Sequence, residues 1–417
     1  MSNTPTPAAP AHHPEFRQGW RVLIAAVLGV ACGASPLPFN SIGFFLGPIN
    51  EEFGWSFRDI SLGITVYGVL GAMLAPVYGS LADRYGVRPV AILSLLAFAI
   101  LFGALGFVPG VLWAWWTGWF LIGLVGIGST PVTWTRGINL WFYRRRGLAL
   151  GLTLVGTSLA AVIVPEIAVW GIENLGWRYT YPLIAMLPLL VALPVALKFF
   201  HEPRPDQRPP EISAGGGLAG VTAKVALRDY RFWLIFASVL IVAMSYGGLF
   251  VHLPQMLKMH GFDTGSTIKH IVQIMGLSIL VGRIGTGWLL DRFWAPLVTL
   301  PLLSIPAISC WLLAGDSMPL FAAYISAAMI GLAAGAETDL VAYLAGRYFG
   351  MVNYGRIYGL LYMPFGFGSA VSPALFGWVR DATGNYDLAL FAAMGGFVGG
   401  GLILLALGRY PDFTVRS

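Results

Sequence analysis

Long apolar stretches alternate with short polar punctuation along nearly the whole chain. A helix needs about 20 apolar residues to cross a ~30 Å hydrocarbon core. Windows of that kind fall near residues 20–46, 57–82, 89–108, 112–140, 147–171, 178–200, 230–256, 267–290, 296–314, 318–346, 356–379 and 386–409. In lipid such runs satisfy their own backbone only as helices. One segment breaks the rhythm: His201-Glu202-Pro203-Arg204-Pro205 leads to Pro209-Pro210 and then Gly215-Gly216-Gly217, the composition of a flexible linker. The pattern predicts an all-α integral membrane protein of twelve transmembrane helices. Its expected parts are a disordered tail over 1–19, a six-helix bundle over 20–200, a linker over 201–229, a second six-helix bundle over 230–409 and a tail over 410–417.

Composition removes most other classes. The 417 residues are 57% hydrophobic and 11% charged, whereas soluble domains carry about 25% charged residues. A net charge of +6 raises the question of nucleic acid. No basic run exceeds Arg144-Arg145-Arg146, however, so nucleic acid is excluded. The excess belongs to loops. With the N-terminus inside, 18 Lys and Arg fall on the inner side, against Arg58, Arg178, Lys258, Lys269 and Arg380 outside. The positive-inside pattern then predicts both termini in the cytoplasm and a place in the plasma (inner) membrane. Cys32 and Cys310 offer neither a disulfide framework nor a metal-ligand spacing, and no cofactor is expected. The first residues lack a cleavage-site pattern, so the first apolar run is kept as a membrane helix.

The two halves repeat. Gly79-Ser80-Leu81-Ala82-Asp83-Arg84-Tyr85 returns 208 residues later as Gly287-Trp288-Leu289-Leu290-Asp291-Arg292-Phe293. At the same offset Gly147 and Gly151 meet Gly355 and Gly359, and Gly176 meets Gly384. Duplicated halves with a site between them near the midplane are the plan of secondary transporters.

The first of these motifs, continued by Gly86-Val87-Arg88, resembles the signature between helices 2 and 3 of the major facilitator superfamily. The resemblance implies gating roles for Gly79, Asp83, Arg84 and Gly86, echoed by Asp291 and Arg292. Gly79 would admit a close helix, Gly86 a tight turn. Three further stretches resemble the monocarboxylate-transporter and oxalate/formate-antiporter branch: Phe44-Phe45-Leu46-Gly47-Pro48-Ile49-Asn50-Glu51-Glu52-Phe53-Gly54-Trp55-Ser56, Trp141 to Gly151, and Gly282-Arg283-Ile284-Gly285-Thr286-Gly287. This likeness spans both halves. It also has departures: the branch's acid one turn before the helix 8 arginine is Ile279 here, its helix 1 lysine falls on Asn40, and a helix 11 lysine falls near Phe365. Neither the lactate nor the oxalate site is copied unchanged.

Ionisable groups inside the membrane are costly and mark function. At ~1.5 Å per residue, Arg283 and Arg136 lie ~12 Å from the inner helix ends, Glu337 ~15 Å and Asp339 ~12 Å. All four are placed near the midplane, either as two buried ion pairs or as a site. Glu166 and His252 lie ~30 Å from their inner ends, at the outer mouth, as interfacial groups or entry contacts. An arginine fork suits a carboxylate, which makes Arg283, Arg136 and Asn40 candidate substrate ligands. Tyr343, Tyr358 and Tyr362, with Tyr246 and Trp134, are candidate aromatic walls and hydroxyl donors. Glu337 and Asp339 are candidate proton carriers, about 200° apart on one helix, with Glu337 favoured to face the cavity.

The expected function is alternating-access transport of a small monocarboxylate or organic anion, with proton symport, by a monomer whose partners are substrate, protons and membrane lipid. The rivals are an anion exchanger or exporter without proton coupling and a receptor that binds without moving its ligand. Nothing in the chain resembles an enzyme's metal cluster, phosphate loop or nucleophile–base spacing.

Overall fold

The computed structural model describes residues 15–142, 146–203, 220–290, 292–315, 317–350 and 353–411. Apart from one isolated bridge between Gly220 and Gly350, these residues form helices and the turns between them. Ten spans are long and apolar enough to cross a membrane, and Leu112–Val125 is a shorter one. One of the ten, Leu148–Phe199, is 52 residues long, enough helix for two crossings of a ~30 Å core. It turns back at Gly176, whose backbone (φ 77°, ψ 160°) is open to glycine alone. The repeat-related Gly384, φ 81° and ψ −10°, ends a helix with a left-handed cap. Twelve passes result among the described residues, an even number, so the two ends of the described chain, at Glu15 and Pro411, lie on one face, the terminal face. The other is the far face.

The first half comprises α1 (Glu15–Ala31) and α2 (Pro36–Phe53), α3 (Phe57–Tyr85), α4 (Val87–Ala104), α5 (Leu112–Val125) and α6 (Pro131–Trp141), and α7 (Arg146–Met186), which continues through a π-helical turn into α8 (Leu193–Phe199). A short α9 (Ala223–Ala226) precedes the second half: α10 (Tyr230–Met259), α11 (Lys269–Leu290), α12 (Ala295–Leu313), α13 (Leu320–Phe349), α14 (Tyr354–Thr383) and α15 (Asp387–Leu405). Met73, Leu93, Trp113, Ile284, Trp311 and Phe321 stand exposed around the outside. An apolar belt of that extent needs lipid to cover it.

The first and fourth passes are each broken in mid-course, and the two breaks meet. The amide of Ala34 donates to Ser129 Oγ at 3.1 Å, and the Tyr67 hydroxyl donates to the Ala34 carbonyl. A side chain on Gly33 would run into the Ser129 carbonyl. Irregular backbone at membrane depth is tolerated where protein groups satisfy it in this way.

The halves pinch together toward the far face. A Cβ on Gly68 of α3 would lie 2.5 Å from Ala370 Cβ on α14, and one on Gly276 of α11 2.8 Å from Ala161 Cβ on α7. Gly43 of α2 abuts the Val251 carbonyl of α10. Lys269 pairs with Glu166 at 2.9 Å and Lys258 with Glu51 at 3.6 Å, both across the two halves. Toward the terminal face, Gly79, Gly151, Gly287 and Gly359 have nothing within 4 Å of a built Cβ among the described residues. The linker is tied at both described ends: Glu202 accepts the Val87 amide at 2.9 Å, and Ala223 donates to Asn353 Oδ1 at 3.1 Å.

Candidate functional site

Missing side chains bring α11 and α13 together. Cβ atoms on Gly331 and Gly335 would strike the carbonyls of Met275 and Ile279, and one on Gly282 would strike the carbonyl of Leu332. Backbone thus lies on backbone, the arrangement that small residues permit in membranes. Arg283 follows Gly282 directly, and its amide would lie 2.8 Å from a Cβ on Gly335. Glu337 stands two residues further along α13. The seam therefore fixes both charged side chains at one level of the second half.

Glu337 is 3% exposed, and its Oε1 accepts no hydrogen bond from the described residues. Tyr246 of α10 and Tyr362 of α14 both lie within electrostatic reach of Glu337, and Tyr362 also of Arg283. Rings continue the wall: Tyr358, Tyr362 and Phe365 follow one another at centroid distances of 5.8 and 5.0 Å. On α10, Tyr246 packs on Phe250 at 5.5 Å. Four helices of the second half thus contribute to one polar-and-aromatic cluster inside the protein.

The other candidates fall elsewhere. Arg136 stands partly buried on α6, in the first half. Asn40 of α2 is buried where α2, α10 and α11 converge; its Nδ2 donates to the Pro36 carbonyl at 2.8 Å while Oδ1 accepts nothing from the described residues. The void beside it is about 10 Å³, the room of one water at most, so no substrate fits there in this conformation. The Tyr343 hydroxyl donates to the Leu290 carbonyl at 2.9 Å and so fastens α13 to α11. Trp134 does not line a cavity: it is fully buried, donates to the Ser129 carbonyl and packs on Phe200. His252 is not interfacial either. It is fully buried, with Nδ1 2.9 Å from the Tyr386 hydroxyl and Nε2 2.9 Å from the Pro373 carbonyl. Glu166 is at the far face, held by Lys269 and by Gln273 at 3.2 Å.

Of the gating group, Gly86 has φ 88° between α3 and α4, Arg84 lies over the ring of Tyr85, and Arg292 lies over Trp288 at 4.0 Å. Asp291 lies outside the described residues, as do Tyr143 to Arg145 of the basic run, and the side chains of Asp83 and Asp339 are likewise outside what is described. Close packing on the fifth pass falls at Gly156, where a Cβ would abut the Val27 carbonyl, and not at Gly151. The sequence reading missed the seam itself. Its signal was Gly331-x-x-x-Gly335, a close-packing spacing on a helix already carrying two acids.

A sequence profile of the Major Facilitator Superfamily matches residues 28–373, both halves and the linker between them. The chain belongs to the major facilitator superfamily. Among similar members are monocarboxylate transporter 11 of Mus musculus, 27% identical over 97% of this chain and 90% of that protein, and monocarboxylate transporter 13 of Rattus norvegicus, 26% identical over 95% and 90%. A probable sulfoacetate transporter of Cupriavidus necator is 27% identical over 88% of this chain and 89% of its own length. This superfamily member is thus a multi-pass membrane transporter, not an enzyme, and is related to monocarboxylate and organic-anion transporters.

Proposed function

We propose that this transporter carries a small monocarboxylate or similar organic anion across the plasma membrane by alternating access, in symport with a proton, with both termini in the cytoplasm. The observation that carries the reading is Glu337, an acid at membrane depth with an oxygen that no described donor serves. An ionised carboxylate left so is costly, and a bound proton removes the cost. Arg283 supplies the complementary step. Its planar fork takes a substrate carboxylate bidentately, and Tyr362, within electrostatic reach of both charges, is a hydroxyl donor for the same anion. Charge then balances in both carrier forms: an empty site with Arg283 cationic and Glu337 anionic, a loaded one with the substrate anion on Arg283 and the proton on Glu337. The relatives named for monocarboxylates and for sulfoacetate support an anionic acid as the substrate class.

Uptake of labelled monocarboxylates into proteoliposomes, with and without an inward proton gradient, tests this. The gradient should drive accumulation in the parent. Glu337→Gln should lose that accumulation while retaining substrate counterflow. Full accumulation by the variant overturns the proton role of Glu337, and counterflow indifferent to pH in the parent makes the protein an exchanger.

A further inference from the structure

The far-face seal contains a contact that neither half needs for its own packing. The opening of a helix leaves its first amides without intrahelical partners. For α3, the Ser56 carbonyl takes the first i→i−4 bond, from Ile60 at 3.1 Å, and Ser56 Oγ accepts from one free amide, Asp59, at 3.0 Å. The other two, Phe57 and Arg58, donate to the opposite half, to Asp381 Oδ1 at 3.3 Å and Oδ2 at 2.9 Å. Asp381 belongs to the last turn of α14. That turn can approach because residue 377 is glycine; a Cβ there would lie 2.8 Å from the Arg58 amide. One turn deeper on α3, the fully buried Ser61 places its hydroxyl 3.4 Å from His252 Nε2.

We infer that Asp381 is a positioning residue of the far-face gate: it caps α3 from the opposite half, and the cap must break each time that face opens. A carboxylate at a helix N-terminus satisfies the free amides and meets the positive end of the helix dipole. Of the ionic ties between the halves at this face, Lys269 with Glu166 at 2.9 Å joins α11 to α7, away from α3 and α14, and the second is weaker in kind. Lys258 and Glu51 lie 3.6 Å apart at 53% and 70% side-chain exposure, and exposed pairs contribute little. Removing the Asp381 carboxylate should therefore shift the carrier toward a far-face-open conformation. The inference uses the two conformers of the proposed cycle but not its substrate or proton, so it stands or falls separately from them.

The experiment places a reporter thiol at Ser61→Cys in a C32A/C310A background. The purified protein is held in lipid nanodiscs, where both faces are accessible, and the rate of labelling by a maleimide dye is followed. Asp381→Ala should label about tenfold faster than the parent, the scale of losing an exposed helix N-cap. Asp381→Asn, which keeps the volume and loses the charge, should fall between, and gives the same reading if the alanine variant does not fold. Asp381→Glu should restore slow labelling, and Lys258→Gln should leave the rate unchanged. Labelling of the Asp381 variants at the parent rate, or no faster than Lys258→Gln, overturns the inference.

Discussion

Arg283 is positioned by what its neighbours lack. Gly282 and Gly335 let two backbones touch beside it, so the guanidinium starts from a fixed point on a rigid helix. A lysine at 283 keeps the charge but replaces the fork with a single ammonium. Arg283→Lys should therefore fold normally and lower the rate of carboxylate uptake by about tenfold or more, which corresponds to ~1.4 kcal/mol or more of lost recognition. Initial rates in proteoliposomes at matched protein density check this; an unchanged rate would remove the bidentate contact. Arg283 and Glu337 were legible in the sequence because charge is scarce in helices of known rise, so counting residues from a helix end gives depth. Partners were not legible. Tyr343 is spent on the Leu290 carbonyl, and His252 is enclosed by Tyr386 and Pro373, more than a hundred residues distant. Depth along one helix says nothing about what stands opposite.

At the scale of elements, the α11–α13 seam predicts unequal costs for one substitution. Gly335→Ala drives a methyl into the Ile279 carbonyl and within 2.8 Å of the Arg283 amide, both backbone atoms that cannot swing aside. Gly395→Ala on α15 meets nothing within 4 Å. The first should cost about 1–3 kcal/mol and the second close to nothing, or a slight gain from helix propensity. Thermal unfolding of the two variants in the same detergent should separate them by several degrees; equal melting would show that the seam yields. The twelve passes were legible because lipid enforces length and polarity together. The breaks in the first and fourth passes were not, because an apolar window counts composition and passes over local geometry. Their signals were present in Gly33-Ala34-Ser35-Pro36 and Gly126-Ile127-Gly128-Ser129-Thr130-Pro131, small residues followed by a proline that disfavours helix before it.

Across the whole molecule, the open and closed ends of the interface share a register. Gly68 of α3 and Ala370 of α14 meet eleven and thirteen residues, ~16 and ~20 Å, in from the far-face ends of their helices. Gly79 lies eleven residues beyond Gly68, and Gly359 eleven residues before Ala370. Eleven residues are three turns plus ~20°, about 16 Å along the axis, so the second pair looks along the same faces toward the terminal side. There it meets nothing within 4 Å among the described residues. In the proposed alternating-access cycle the halves exchange one contact for the other, and the second pair would then approach as closely as the first. Bulk at these glycines is harmless in the present conformation and obstructive in the opposite one. Gly359→Leu, alone or with Gly79→Leu, should leave the melting temperature within about one degree, since surface changes away from packing stay within ~0.5 kcal/mol. The same variants should still bind substrate from the terminal face, measured as ligand-induced thermal stabilisation, while net uptake and counterflow both fall to background. Retained flux in the double variant would mean that the terminal side closes through other surfaces, and that the shared register reflects the ancestry of the two halves and not their motion.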